Sequence, residues 1–299
     1  MRSKINICSV ILLSFYSGYG FTAPSDDLPF GQYELSMGAR PSAPYENLIN
    51  YNSDLTTQGR GPTYTVDVSR HHIIPYNRLR GFYNRVAEMN RLRNLKGFFN
   101  SYANNLHFFA GNGGVDCESL GNDLVEAGNL AMSQGYGTAT PGGETYALGF
   151  DTFNQFYAWL PGNLFIGPNN REDDPNNAFE SNVGVVVGTT NFQILSRLNR
   201  NMGLFIDNND DSLLPSISAD LSRIARRRTV YQLNPSDWER GNGSSYRLRT
   251  TQERRSVDSS LLIKSIPSEI ITLYSDTCDS YTPTFSHILD SVLMIINED

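Results

Sequence analysis

The sequence predicts an α+β fold, with two short strands far apart in a mostly helical chain of 299 residues. Three patterns lead there. Tyr64-Thr65-Val66-Asp67-Val68 alternates apolar and polar side chains, the period of an extended segment. Leu160 to Pro168 is a short apolar run bracketed by turn residues. Between them, Leu79, Phe82, Val86, Met89 and Leu92 recur at steps of three and four, as on one face of a helix.

In chain order, residues 21–60 are rich in Pro, Tyr, Asn and Gly and read as a loop-rich arm, closed by a turn at Gly61-Pro62. Pro75 suits the first turn of a helix, and Arg78, Arg85 and Arg93 leave that helix's apolar stripe. Gly97 allows a break before the aromatic segment Phe98 to Phe109, and Leu120 to Met132 is expected to be helical. The glycine-rich stretches Gly111 to Gly114 and Gly135 to Gly143 lack the lysine and the strand–loop–helix context of a phosphate-binding loop, so they read as turns. Asp174-Pro175 is expected to start a helix, with Asp as cap and Pro in the first turn. Val183 to Gly188 reads as a strand or a buried helical turn, and Asn191 to Leu204 and Leu213 to Arg227 as helices. Asp207 to Asp211 alternates oxygen ligands like a calcium loop, but Ser212 and Ser218 replace the required Gly and Glu, which leaves an acidic turn. Gly241 to Ser245 is the best candidate linker, and strand segments interrupted at Pro267 are expected in Ser260 to Tyr274.

The first 20 residues read as an export signal: Arg2 and Lys4, an apolar stretch from Ile5 to Tyr16, then Gly18 and Gly20 before a cut after Gly20. The apolar stretch is short for an anchor, so a secreted or periplasmic chain without stable membrane insertion is expected. Removing the leader removes Cys8 and leaves Cys117 and Cys278, which an oxidising compartment would allow to pair. Cys117 as a nucleophile served by His107 is disfavoured, since no local motif surrounds it.

The net charge of −7 argues against passive adhesion of the whole chain to nucleic acid, but its distribution does not. Arg70, Arg78, Arg80, Arg85, Arg91, Arg93 and Lys96 face one acidic neighbour in sequence, Glu88, and a second arginine-rich stretch runs from Arg223 to Arg255. Each stretch is equally explained as a solvated helix face. The first begins at Arg70-His71-His72-Ile73-Ile74-Pro75. Adjacent side chains of an extended segment point to opposite faces, so one imidazole is free to bind a metal while the other takes a proton. Ordinary strand histidines, one buried and one exposed, are the plain alternative.

The His-His-Ile-Ile-Pro strand, Asn163 in the second apolar run and the acidic pair Asp173-Asp174 resemble the HNH superfamily, the His-Me finger or ββα-metal nucleases, and particularly its secreted bacterial toxin branch. The resemblance covers His71 to Tyr76 and Leu160 to Glu180. It implies a ββα-metal hairpin–helix core with a large helical insertion, embedded in a mostly helical chain. The domain organisation expected is a signal peptide at 1–20, the arm at 21–60, an HNH-like nuclease domain with insertion at 61–240, and a C-terminal extension at 241–299 packing on that core.

What the resemblance implies residue by residue is a metal ligand at His71, a general base at His72, and Asn163 holding that imidazole in its working orientation. The last ligand would fall among Glu172, Asp173 and Asp174, where the family commonly has histidine. With Asp174 also a helix cap, Asp173 is the favoured ligand. A carboxylate there suits Mg²⁺ best, with Mn²⁺, Ca²⁺ and Zn²⁺ left open for the single divalent cation. Arg70, Arg78 and Arg171 are candidate phosphate contacts. The implied function is metal-dependent endonuclease hydrolysis of nucleic acid, with an inhibitor protein as a conceivable second partner. The rival is a secreted, non-enzymatic binding protein on a degenerate HNH fold.

Overall fold

A computed structural model describes residues 40–48, 55, 66–137, 147–251, 253 and 278. The expected signal peptide and the strands expected within Ser260 to Tyr274 lie outside the described residues. The chain is a mixture of helix and sheet, with two antiparallel strand pairs among the described residues. In order come β1 (Val68–His72), α1 (Tyr76–Glu88), α2 (Lys96–Ala103), α3 (Leu106–Asn112), α4 (Cys117–Tyr136) and α5 (Phe150–Ala158). Then follow β2 (Leu164–Pro168), α6 (Gly184–Val187), α7 (Thr189–Asn208), α8 (Leu214–Ala225), β3 (Trp238–Arg240) and β4 (Tyr246–Leu248).

β1 pairs with β2 in a register that sets His71 opposite Phe165 and His72 opposite Leu164. The helices between the two strands share one core with α7 and α8, which follow β2. α1 follows Pro75, which holds the extended conformation (φ −65°, ψ 147°) one residue before the first helical turn. It buries the expected stripe at Leu79, Phe82 and Val86. Asn90 then turns left-handed (φ 56°), and the chain re-enters helix through a short turn at Leu92–Leu95. The break therefore comes at Asn90 and not at Gly97, which sits inside α2. A side chain at Gly97 would meet Ser218 of α8 at 3.4 Å, so this residue permits close packing of two helices there.

α2 packs against α4 and α8, and α4 against α5. The centre is aromatic. Tyr102 meets Phe153 at 5.1 Å edge-on and Phe98 at 5.9 Å. Its hydroxyl donates to the Phe153 carbonyl at 3.0 Å, and Tyr157 donates to the Leu79 carbonyl at 3.0 Å. Burial holds both phenols well above their usual pKa, so they stay neutral donors. Each such ring contributes on the order of 1.5–3 kcal/mol through burial, and the hydroxyl bonds prevent a desolvation cost.

Some expectations change, and one open alternative is settled. No helix starts at Asp174-Pro175: Asp174 Oδ1 accepts the Asn176 amide at 2.7 Å, and Asn176 adopts φ 54°, a left-handed turn that prevents a first helical turn there. Val183 to Gly188 resolves to the helical turn α6. Gly241 to Ser245 is no linker but the connection between β3 and β4, whose residues Trp238 and Leu248 pair directly. The boundary expected at 240/241 thus cuts a hairpin, and this hairpin is tied to the segment after β2 through Tyr246 N donating to the Asn170 carbonyl at 2.9 Å.

Cys117, at the start of α4, is joined to Cys278 by a disulfide, with Cα atoms 5.4 Å apart. A disulfide sulfur cannot be a thiolate, so the Cys117 nucleophile reading is closed. Because 161 residues separate the two cysteines, the bond restricts much of the unfolded chain. Replacing both cysteines by serine is expected to lower stability by about 2–4 kcal/mol, read as a fall in the urea midpoint.

Candidate functional site

β1 carries the two histidines to opposite faces of the hairpin, as alternation predicts. His71 lies on the face of its cross-strand partner Phe165, with ring centroids 5.2 Å apart and stacked at 27°. Behind Phe165 lies Trp238 at 6.3 Å, also stacked. A side chain at Gly167 would run into the Trp238 indole, so glycine is what allows β3 to close against β2. His72 lies on the other face, 4.8 Å from the Trp159 ring at the end of α5.

The ring nitrogens can be assigned from their partners. His72 Nε2 lies 2.7 Å from the Ala158 carbonyl, which only accepts, so Nε2 carries the hydrogen. Nδ1 lies 3.2 Å from Arg40 Nη1, which only donates, so Nδ1 holds a lone pair. The two contacts require the same neutral tautomer. His71 Nε2 likewise lies 3.0 Å from the Pro168 carbonyl and 3.1 Å from Ser69 Oγ, which leaves its Nδ1 as the lone-pair nitrogen. Burial pushes the pKa of His71 down to about 4, reinforced by the Arg171 charge and opposed by the Pro168 carbonyl and Asp174. Burial also brings His72 down to about 4, with Arg40 and His71 adding to the effect and the Ala158 carbonyl opposing it. Both imidazoles are neutral at pH 7.

Both histidines line a cleft of about 870 Å³, together with Arg40, Arg70, Tyr76, Arg80, Trp159, Arg171, Asp174 and Glu180 among others. Of the three candidate phosphate contacts, Arg70 lines the cleft, donates through Nη2 to the Glu46 carbonyl at 2.9 Å and lies over the Tyr45 ring. Arg78 does not line it. Its guanidinium lies along α7, 2.8 Å from where a side chain at Gly203 would begin. Arg171 reaches the cleft wall from inside, its side chain only 1% exposed. Its guanidinium lies beside the stacked Phe165 and Trp238 rings, 5.5 and 5.3 Å from their centroids, and is paired with Asp173 at 3.1 Å and Glu180 at 2.8 Å. Burial opposes the Arg171 charge, but the two carboxylates outweigh it and hold its pKa above the usual value. Burial likewise raises the Glu180 pKa, with Arg171 pulling against it. Arg171 is therefore an internal counter-ion before it is a substrate contact.

Asn163 is 1% exposed and does not touch the His72 imidazole. Its Oδ1 accepts the Ile74 amide at 2.8 Å and its Nδ2 donates to the Ile74 carbonyl at 2.9 Å. Its own carbonyl accepts the Ile73 amide at 2.9 Å. Asn163 thus fixes the backbone just after the histidine pair, while the Ala158 carbonyl orients the ring.

The acidic window divides cleanly. Glu172 Oε2 accepts from Ser245 Oγ and the Asn242 amide, and Asp173 accepts from Arg171 and, at 2.9 Å, from the Leu248 amide. Only Asp174 faces the cleft. Asp173, the favoured ligand in the sequence, has both oxygens engaged with Arg171 and the Leu248 amide and does not line the cleft. Among the described residues no group of three or more His, Cys, Asp or Glu side chains is gathered as a metal cluster. Arg40, Trp159 and Glu180 were not among the candidate site residues, because nothing local joins them to the histidine motif, and Arg80 was read only as part of the basic run.

Two expected outcomes follow. Asn163→Ala leaves two buried backbone groups of Ile74 unpaired and is expected to cost about 2–4 kcal/mol, measured by urea denaturation. Arg171→Met strands two carboxylates, one fully buried, and is expected to destabilise by about 3–5 kcal/mol, seen as a lower Tm in calorimetry.

A chain from Acyrthosiphon pisum secondary endosymbiont phage 1, called "Putative protein p9", is 29% identical over 198 residues, covering 63% of this chain and 52% of the phage protein. This chain thus spans about half the length of that relative. No family model and no solved structure matches. The similarity is to a phage protein whose name states no activity.

Proposed function

We propose that the chain is a metal-dependent phosphodiester hydrolase of the HNH type, acting on nucleic acid in the His71–His72 cleft. The observation that carries this reading is the His72 tautomer: Nε2–H is held by the Ala158 carbonyl, and the Nδ1 lone pair faces an arginine-lined cleft. A neutral imidazole fixed by a carbonyl is oriented as a general base needs. Such help is worth about a hundred- to ten-thousand-fold in rate for a base whose pKa lies near the working pH. The burial that brings the His72 pKa to about 4 works against it.

In this reading His72 Nδ1 takes a proton from the attacking water, whose oxygen forms a bond to phosphorus as the bond to the leaving sugar oxygen breaks. Asn163 acts at one remove, by fixing Ile73 and Ile74. The β1–β2 pair would serve in this reading as the strand pair of a ββα-metal unit, although the irregular segment 171–180 stands where the resemblance expects a helix.

In this reading His71 Nδ1 and the Asp174 carboxylate would hold the divalent cation, Mg²⁺ first for the carboxylate oxygen. Both residues line the cleft, and the Asp174 charge acts on His71. Such a cation, when bound, neutralises phosphate charge and the developing charge on the leaving oxygen. The carbonyl on His71 Nε2 fixes the tautomer that leaves Nδ1 for it, and Arg171 nearby works against it. The Cys117–Cys278 disulfide supports an oxidising destination such as the periplasm or the exterior.

Plasmid DNA and RNA incubated with the purified protein and Mg²⁺ or Mn²⁺ should be cut, and EDTA should stop cleavage. His72→Ala should lose about a hundred-fold or more. Equal cleavage by His72→Ala would remove the base assignment. Asp174→Asn should weaken Mg²⁺ binding in calorimetry while Asp173→Asn lowers Tm instead. No cleavage and no cation heat with any metal would favour the non-enzymatic binding protein.

A further inference from the structure

Residues 40–48 form one wall of the cleft, and their backbone is tied down along its length. Trp159 Nε1 donates to the Pro41 carbonyl at 2.8 Å, Gln155 Nε2 to the Ser42 carbonyl at 3.0 Å, and Arg70 to the Glu46 carbonyl. Tyr45 returns a bond to the Trp159 carbonyl at 2.6 Å. This anchorage presents Arg40 at a fixed place: its guanidinium lies 4.6 Å over the Trp159 ring and donates to His72 Nδ1 at 3.2 Å.

Among the described residues no carboxylate is paired with Arg40. Its polar partner there is the neutral nitrogen that the proposed chemistry needs free. A guanidinium bonded to a neutral imidazole is poorly matched, whereas two phosphate oxygens match its planar fork and carry the opposite charge. Trp159 keeps the guanidinium plane in place during such an exchange.

We propose that Arg40 is the residue that positions the substrate phosphodiester at His72. In the free protein it rests on the Nδ1 lone pair. An entering phosphodiester draws it away, so the same anion that Arg40 holds also exposes the base beside it. This rests on the hydrolase reading for its catalytic half; the phosphate contact itself does not need cleavage.

The test uses the full chain and a fluorescein-labelled single-stranded oligonucleotide, with anisotropy read in EDTA and cleavage read in Mg²⁺. Arg40→Ala is expected to weaken binding about tenfold and lower kcat/KM about a hundred-fold, with an unchanged Tm. The loss should appear in kcat as well as KM. Arg40→Lys should restore part of it, and free guanidinium should rescue Arg40→Ala, neither of which a purely structural role gives. If Arg40→Ala binds and cleaves like the wild type, the proposal is overturned while the hydrolase reading stands. If it cleaves faster, Arg40 only masks the base, and positioning is overturned. If the wild type binds but never cleaves, while Arg40→Ala fails to bind, the phosphate contact holds and the hydrolase reading falls.

Discussion

Asn163 gives both groups of its amide to one residue, Ile74, which lies 89 positions earlier in the chain. This two-way clasp, with Ile73 donating to the Asn163 carbonyl, fixes the point where β1 ends and β2 begins. A slip of one residue in that register would exchange the faces of His71 and His72. Glu180 adds a third strut, its amide donating to the Ile73 carbonyl at 3.0 Å. The chain around the histidine pair is thereby held from both sides, and the geometry of the cleft follows from it.

Pairing two strands across so long an excursion is entropically costly, and the intervening helices offset that cost by packing into one core with α7 and α8. They also supply parts of the site. α5 ends at Ala158, so its last carbonyl, unsatisfied within the helix, is available to His72 Nε2. Trp159 comes next and serves as a platform for both His72 and Arg40. A helix end therefore does the orienting that the resemblance would assign to an asparagine side chain.

Charge in the site is arranged in two layers. Inside, Arg171 lies beside the Phe165–Trp238 stack and is neutralised by Asp173 and Glu180, joining β2 to the β3–β4 pair through the Leu248 amide on Asp173. Outside, Asp174 and the cleft arginines face the open space. Much of the basic run that follows the histidines is used elsewhere: Arg85 bonds Asn209 and Glu88, and Arg91 pairs with Asp211. Proximity in sequence on a helix spreads side chains around its axis, so only part of a basic run can face one ligand.

The sequence alone determined the helix from Tyr76 and the apolar partner strand, because such patterns are local. The alternating run Tyr64 to Val68 pointed to a strand next to the histidines, and β1 begins where that run ends, at Val68. The sequence also singled out Asn163, though not what its amide holds. Tertiary structure decided which acidic residue faces the cleft, since Asp173 and Asp174 differ only in what lies across from them. It decided that Arg78 faces α7, that Arg171 is internal, and that the Gly241 to Ser245 stretch joins paired strands. Above all it brought Arg40, from a segment with no periodicity, within hydrogen-bonding reach of His72. That meeting depends on how α5 and the arm pack against each other, and no local pattern records a contact between residues 32 positions apart in different elements.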